Sequence, residues 1–337
     1  MSTDVSRCAA CGVELAPGML ACPACRKLVH ADRLKALAAD AEAAERDGRL
    51  TDALTHWRDA LDLLPAGSTQ RTAVAETIRR LSEAVDRAGN AAPSPAGGRA
   101  KGAAGLGALG LLAWKLKFVL LAILSKAKLL LTGLTSLPTL LSMLAWLAID
   151  RSHGALFAIG LVASIYVHEM GHVAALRRYG IKATAPMFVP GLGALVRLRQ
   201  YPIDAREDAR VGLAGPVWGS AAAALALALG LAFQHRTLLA VATIGATINA
   251  FNLIPFWQLD GARGFRALDG RQRTIVVVIA AAAALLLKQP MGWLICAVGA
   301  LRTKRDLPAQ GEARAFRTFV GLLVVLSLIA WLGSKPV

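Results

Sequence analysis

Long runs of apolar residues constrain the fold of this chain more than any other feature. Four runs approach the length of about 20 residues that a bilayer-spanning helix needs; they cover residues 131–149, 155–176, 211–233 and 237–256. Hydrophobic residues make up 55% of the chain and charged residues only 18%, against about 25% charged residues in soluble domains. The sequence therefore predicts a mostly α-helical, polytopic membrane protein, and it excludes an ordinary soluble enzyme, a disordered chain and a secreted disulfide scaffold.

Other apolar segments have different expected roles. Residues 106–124 carry two lysines near their middle, and we expect them to lie on the membrane surface as an amphipathic helix. Two short runs, 275–287 and 291–301, predict a tight helical hairpin, and residues 318–332 predict a last span.

Positive charge is concentrated between the apolar runs. The chain has 38 Lys and Arg against 22 Asp and Glu, a net charge of +16, and the whole excess follows residue 98. Basic loops mark the cytoplasmic side of a membrane protein and suit anionic lipid head groups. Because the lipid bilayer accounts for the charge, and no basic stripe is interleaved with aromatic residues, we expect no nucleic-acid partner. The predicted location is the cell membrane, with several spans and the N-terminal domains in the cytoplasm.

Four of the five cysteines form two pairs, Cys8-x2-Cys11 and Cys22-x2-Cys25, separated by ten residues. Two thiolates at this spacing can bind one tetrahedral ion, and two such pairs complete a four-cysteine shell. Two disulfides are the alternative, but the polar N-terminus has no signal-peptide pattern and cytosolic thiols stay reduced. We therefore predict a structural zinc ribbon over residues 1–30.

Residues 31–89 are rich in Ala, Leu, Glu and Arg and predict helices. Their spacing is similar to one tetratricopeptide repeat over residues 34–67, with a capping helix over 70–88. The residues that match this spacing are Leu37, Gly48, Ala53, Trp57, Ala60 and Pro65. Such a segment could bind a cytoplasmic protein partner, and a plain helical hairpin without a partner groove is the alternative. Residues 90–105 predict a flexible linker, followed by a membrane-embedded domain over 106–337.

The predicted helix over 155–176 contains the sequence His168-Glu169-Met170-Gly171-His172. Histidines at i and i+4 lie on one face of a helix, so both rings can bind one metal ion. Ionisable side chains inside a membrane span are costly and indicate a functional site. Two core histidines held by hydrogen bonds are the alternative, which does not explain three ionisable residues within five positions of an apolar helix.

A catalytic zinc ion needs a third protein ligand and an open position. Of the nine acidic residues after residue 98, seven lie in predicted loops or polar flanks: Asp150, Asp204, Glu207, Asp208, Asp269, Asp306 and Glu312. The other two are Glu169 and Asp260. Pro255 and Gly261 interrupt helical geometry around Asp260, and irregular backbone at membrane depth is tolerated only inside protein or beside a cavity. Asp260 is therefore the candidate third ligand.

These residues resemble the site-2 protease family of intramembrane zinc metallopeptidases. That family has an HExxH motif on one membrane helix and an Asn-x-x-Pro-x-Pro-x-Leu-Asp-Gly motif on a later one. The second motif occurs here at residues 252–261 as NLIPFWQLDG, with Trp257 in place of the second proline. Gly215-Pro216 is similar to a Gly-Pro feature on the middle core helix of the family. The resemblance covers about residues 155–270.

The resemblance implies roles for individual residues. His168, His172 and Asp260 would bind a catalytic zinc ion. Glu169 would be the general base, and Asn252 would orient the substrate backbone or stabilise an oxyanion. A helix-packing amide is the alternative role of Asn252. With the cysteines, this predicts two zinc ions per chain, one catalytic and one structural.

The function that the resemblance implies is hydrolysis of peptide bonds within transmembrane segments of membrane proteins, in regulated intramembrane proteolysis. His168 lies nine residues before Arg177, about 14 Å from the cytoplasmic surface at about 1.5 Å per residue. Peptide bonds at that depth belong to transmembrane helices, so a substrate helix must unwind. Residues 183–200 mix strand-forming residues with Pro and Gly, and form either a β-hairpin that pairs with the unwound substrate or a surface loop.

Two other classes of membrane protein are alternatives to a protease. A catalytically inactive membrane adaptor would recruit partners through its cytoplasmic zinc ribbon and helices, but it has no need of Glu169. A zinc transporter would carry polar residues on several spans and a symmetric repeat, and the sequence has neither.

Overall fold

A computed structural model describes residues 6–90, 154–182, 187–189, 193–195, 200–308 and 310–335. Within these ranges the chain forms ten α-helices and two short two-stranded sheets. The predicted fold class is confirmed, because the described residues are mostly helical and include long apolar helices and an N-terminal four-cysteine cluster. The segments expected at residues 106–124 and 131–149, and the linker from residue 91 onward, lie outside the described residues.

The N-terminal unit consists of short strands and turns around the cysteines. Strand β1 (Ser6–Arg7) pairs antiparallel with β2 (Glu14–Leu15). The carbonyl oxygens of Cys8 and Cys22 each accept a hydrogen bond from the backbone N–H four residues later. These two tight turns present both cysteine pairs to the same small volume.

Three helices follow and are called here the helical segment, residues 31–90. They are α1 (Ala31–Arg46), α2 (Leu50–Asp62) and α3 (Thr69–Asn90). Gly48, between α1 and α2, has a φ of 73°, a left-handed conformation that favours glycine. The core of the segment consists of Ala44, Ala53, Leu54, Ile78, Leu81 and Val85. A helical pair with a third helix is therefore present, and the similarity to a tetratricopeptide repeat stays a prediction.

The rest of the described chain is dominated by seven helices. They are α4 (Gly154–Arg178), α5 (Ala205–Ala232), α6 (Arg236–Asn252), α7 (Asp260–Arg266), α8 (Gly270–Leu286), α9 (Pro290–Arg302) and α10 (Ala313–Gly333). Among the described residues, α4, α5 and α10 are long and apolar enough to cross a membrane. Helix α5 packs against α4, α6, α7 and α10, so it is the central helix of this part of the chain.

Helix α6 is shorter than the span expected over 237–256. It ends at Asn252, shortly before Pro255, because the residue before a proline is disfavoured in helical conformation. At 17 residues it is about 25 Å long. The chain then continues through an irregular loop, residues 253–259, which leads to Asp260.

Two predicted hairpins are present. Helices α8 and α9 are separated by three residues and pack so closely that a Cβ added to Gly292 would lie 2.6 Å from the carbonyl oxygen of Ala280. Strand β3 (Met187–Val189) pairs antiparallel with β4 (Gly193–Leu195), and β4 lies beside α4. The strand pairing of the predicted β-hairpin is therefore present between residues 187–189 and 193–195, and its pairing with a substrate stays a prediction.

Acidic residues assigned by sequence to loops or flanks take part in helix starts. The carboxylates of Asp204, Asp269 and Glu312 cap α5, α8 and α10 by accepting hydrogen bonds from backbone N–H groups of the first turn. Glu207 departs from the expectation for a solvated flank, because it lies in the first turn of α5 with 1% of its surface exposed. The reason is a buried ion pair with Arg58 of the helical segment.

Candidate active site

His168, His172 and Asp260 meet where α4 faces the start of α7. The Nε2 atoms of the two histidines are 3.2 Å apart. Asp260 Oδ2 lies 3.1 Å from Nε2 of His168 and 3.3 Å from Nε2 of His172. Three donor atoms at these separations fit one face of a tetrahedron around an ion with bonds of about 2.0 Å. The structure thus brings together the three residues predicted as ligands from distant parts of the sequence.

The second ring nitrogen of each histidine has its own acceptor. Nδ1 of His168 lies 2.8 Å from Oδ1 of Asn249, and Nδ1 of His172 lies 2.8 Å from the carbonyl oxygen of Val211. The amide nitrogen of Asn249 donates to the carbonyl of Gly245, so its oxygen faces the ring. Both partners are carbonyl oxygens, which can only accept a hydrogen bond. Nδ1 therefore carries the proton in each ring, and Nε2 is left with a lone pair for a metal ion.

Glycines of α5 leave the space that an ion and its supporting side chains need. A Cβ added to Gly215 would lie 2.2 Å from Nε2 of His172 and 2.6 Å from Nε2 of His168. Gly219, one turn later, leaves space for Asn249: a Cβ added to Gly219 would lie 2.0 Å from Oδ1 of Asn249. Two imidazoles, one carboxylate and a space reserved by glycine fit a zinc ion.

Glu169 is buried in the same region. It follows His168 on α4 and has 8% of its surface exposed. The histidines are equally enclosed, while the side chain of Asp260 is 13% exposed. The carboxylate predicted as a general base therefore lies beside the first predicted ligand, away from bulk solvent.

Asn249 is a site residue that the sequence analysis missed. Its amide, rather than that of Asn252, is hydrogen-bonded to His168, and Asn249 is 3% exposed. Asn252 is the last residue of α6, one turn further along. A polar residue three positions before the motif, on an otherwise apolar helix, was the available signal, since residues at i and i+3 share a face. The substrate-positioning role of Asn252 stays a prediction.

The loop over residues 253–259 differs from the motif that it resembles. Trp257 has a φ of 49°, which a proline cannot adopt because its ring holds φ near about −65°. The backbone is tightly folded here, and a Cβ on Gly261 would lie 2.0 Å from the carbonyl oxygen of Leu253. The chain therefore reaches Asp260 through a bend of its own at the position where the motif has its second proline.

The four N-terminal cysteines form a separate cluster. Sγ of Cys8 lies 3.7 Å from Sγ of Cys25, and the sulfurs of Cys11 and Cys22 are 3.5 Å apart without a disulfide. A tetrahedral zinc ion with bonds of about 2.3 Å holds its sulfurs about 3.8 Å apart, so the cluster fits zinc. Hydrogen bonds from the backbone N–H groups of Ala10 and Cys11 lower the pKa of the Cys8 thiol to about 6, which favours the thiolate that binds metal.

The part of the chain that holds His168 and His172 matches a known protein family. Residues 156–236 match the family model described as peptidase family M50. The matched segment includes His168, Glu169, His172 and Gly215. The resemblance to the site-2 protease family is confirmed. Asp260 lies beyond the matched segment, and the structure places it against both histidines of the HExxH sequence.

Individual relatives agree with the family match. The zinc metalloprotease MJ0392 of Methanocaldococcus jannaschii is 27% identical over 119 residues, which cover 34% of each chain. Probable zinc metalloprotease EGY2, chloroplastic, of Oryza sativa subsp. indica is 28% identical over 167 residues, 36% of this chain and 30% of its own. The chain spans about a third of the length of the curated relatives it matches. No solved structure matches.

Proposed function

We propose that this chain is a zinc-dependent intramembrane protease that hydrolyses peptide bonds within transmembrane segments of membrane proteins. The observation that carries the proposal is the triangle of donor atoms from His168, His172 and Asp260, with sides of 3.1, 3.2 and 3.3 Å. Both histidines lie on a helix long and apolar enough to cross a membrane. The family match and the names of the two relatives, both zinc metalloproteases, support the same reaction class.

The candidate metal ligands and Glu169 have separate roles in the proposed reaction. When bound, a zinc ion held by His168, His172 and Asp260 polarises the scissile carbonyl and activates a water molecule for attack at neutral pH. Glu169 accepts a proton from the attacking water as the new C–O bond forms. It then donates that proton to the amide nitrogen as the C–N bond breaks, so that the products are a carboxylic acid and an amine.

The surroundings of the site hold these groups in place. The carbonyl of Val211 and the amide of Asn249 keep both imidazoles in the tautomer that leaves Nε2 for the metal ion. Burial of Glu169 limits its exchange of protons with bulk water. These interactions exist before a substrate arrives, so little reorganisation is needed during the reaction.

The substrate would enter as an unwound helix. We propose that the scissile bond lies within the membrane, at the depth expected for His168, where helices containing Gly or Pro unwind at lower cost. The hairpin of β3 and β4 beside α4 offers backbone groups to which an extended substrate can add as a strand. Asn252, at the end of α6, is proposed to contact the backbone of that substrate.

We also propose where the protein lies in the cell, how many zinc ions it binds and which substrates it cuts. The chain would be a multi-pass protein of the cell membrane with its zinc ribbon and helical segment in the cytoplasm. One zinc ion would be catalytic and one structural. Its substrates would be transmembrane proteins already shortened by another protease, as in regulated intramembrane proteolysis.

The experiment that tests the proposal compares the detergent-purified wild type with Glu169→Gln. We expect two zinc ions per chain in both proteins. The wild type should cut a transmembrane-helix substrate within its apolar segment, and Glu169→Gln should cut it at least about 100-fold more slowly, because general-base catalysis contributes about that much or more. Equal cleavage by both proteins would refute the proposed mechanism. One zinc per chain and no cleavage by the wild type would favour the inactive adaptor.

A further inference from the structure

A buried ion pair joins the helical segment to the start of α5. One guanidinium nitrogen of Arg58, on α2, donates to both carboxylate oxygens of Glu207, at 2.7 and 2.8 Å. The two side chains are only 2% and 1% exposed. Glu207 also accepts hydrogen bonds from the hydroxyl of Ser82 on α3 and from the backbone N–H of Ile203. A fully enclosed pair with this many bonds is geometrically specific.

A second chain of bonds runs beside this pair. Arg58 Nε donates to the carbonyl oxygen of Tyr179, directly after α4, at 2.8 Å. The hydroxyl of Tyr179 donates to Asp86 of α3, and Arg210 of α5 donates to the other oxygen of Asp86 at 3.2 Å. Burial, assisted by the bond to Asp86, raises the pKa of Tyr179, so its hydroxyl remains a donor. The segment thus contacts the ends of both α4 and α5.

Partly exposed ion pairs extend this contact. They are Lys182–Asp59, Arg206–Glu83, Arg79–Asp204 and Arg314–Asp86. Each contributes little by itself. Together with Ile203, which packs against the apolar core of the segment, they show that the segment docks on this chain through a broad surface.

The same turns of α5 contact the candidate metal site on the opposite side. Asp208, the residue after the buried glutamate, accepts a hydrogen bond of 2.7 Å from Arg263. Arg263 lies on α7, the helix that begins with Asp260. Val211, one turn further along α5, accepts the hydrogen bond from His172. Two of the three predicted ligands are therefore attached to the turns of α5 that the helical segment contacts.

We infer that the helical segment is an intramolecular clamp, and that Arg58 and Glu207 are positioning residues for the metal site. Their ion pair fixes the first two turns of α5, and these turns hold His172 through Val211 and Asp260 through Arg263. Because donor atoms must stay within about 0.5 Å of their productive positions, a small displacement of α5 weakens metal binding. The inference rests on the proposed function for the identity of the metal as zinc.

The test measures zinc retained by the full-length protein in detergent against a chelator of increasing concentration. Arg58→Ala should weaken one of the two zinc sites by about 10- to 100-fold, as loss of supporting interactions around metal ligands does. His172→Ala, in the same titration, identifies which site that is. Arg80→Ala is the matched control, because the pair of Arg80 with Glu45, at 2.7 Å, lies within the helical segment. It should retain both zinc ions like the wild type, and Arg58→Lys should recover part of the loss.

A second variant addresses the possibility that Glu207 without a partner unfolds the protein. Arg58→Met combined with Glu207→Gln removes both charges and leaves no unpaired ion in the interior. We expect this variant to keep wild-type helical content by circular dichroism and the cysteine-bound zinc, but to release the other zinc more easily. Wild-type retention of both zinc ions in this folded variant would overturn the inference. Zinc retention is measured without substrate, so failure of the wild type to cleave would refute the proposed function and leave this result standing.

Discussion

At the scale of single residues, the two histidines are aligned by acceptors on neighbouring helices. Asn249 and the carbonyl of Val211 each hold an Nδ1 proton, and Gly215 keeps the space in front of both Nε2 atoms open. The candidate ligands could be predicted from sequence, because an i, i+4 histidine pair and an acid that follows a proline-interrupted apolar run need no knowledge of packing. The sequence marks Asn249 only as a polar residue three positions before the motif, and its bond to His168 could not be predicted, since the two are 81 positions apart and only helix packing brings them together.

Replacing Asn249 by Ala should weaken the histidine zinc site by about 10- to 100-fold, because His168 loses the acceptor that fixes its tautomer. Competition with a chelator measures this affinity. Asn252→Ala, on the same helix but without a bond to His168, should retain the zinc affinity of the wild type. An Asn249→Ala protein that binds zinc as tightly as the wild type would show that the hydrogen bond does not support the site.

A methyl group at Gly215 should exclude the metal ion. In Gly215→Ala the new Cβ would lie 2.2 Å from Nε2 of His172, so we expect loss of one zinc ion per chain and of all cleavage. Gly321→Ala is the control, because Gly321 of α10 has no atom within 4 Å of an added Cβ. Elemental analysis measures the number of zinc ions per chain in both proteins. Two zinc ions per chain in Gly215→Ala would contradict the placement of the site.

At the scale of elements, the loop between α6 and α7 determines where Asp260 lies. The sequence predicted an interruption here because Pro255 and Gly261 are unfavourable within a helix. It did not predict that α6 would end at Asn252, nor that Trp257 would take a positive φ. The conformation of Trp257 goes with close backbone packing around Leu253 and Gly261, which no local pattern encodes.

Trp257→Pro, which restores the motif of the family, should destabilise this protein. Proline cannot adopt the φ of 49°, so the loop must rearrange and Asp260 must move. Trp257→Gly is the control, since glycine adopts this conformation freely and the indole is 73% exposed. Thermal unfolding should show a midpoint at least about 1 to 2 degrees below the wild type for Trp257→Pro only, a shift that corresponds to about 1 kcal/mol for a chain of 337 residues. A wild-type midpoint for Trp257→Pro would contradict the reported bend.

At the scale of the whole molecule, the helical segment and the apolar helices form one connected structure. The sequence distinguishes them by composition, because hydropathy and charge differ sharply between the two parts. Their docking could not be predicted: Glu207 has the local sequence of a solvated flank, and its partner Arg58 lies 149 positions away. The four-cysteine cluster, in contrast, was predicted from sequence alone, since both of its pairs are formed by short turns.

The coordination shell of the second zinc ion tests the proposed active site most directly. In Cys22→Ser the four-cysteine shell is incomplete, and the zinc that remains can be examined by X-ray absorption spectroscopy. We expect one zinc ion per chain with two imidazole nitrogens and a carboxylate oxygen at about 2.0 to 2.2 Å and no sulfur, and its loss when Asp260→Ala is added. Absence of this zinc from a folded Cys22→Ser protein, or a shell that is unchanged by Asp260→Ala, would contradict a catalytic site built from His168, His172 and Asp260.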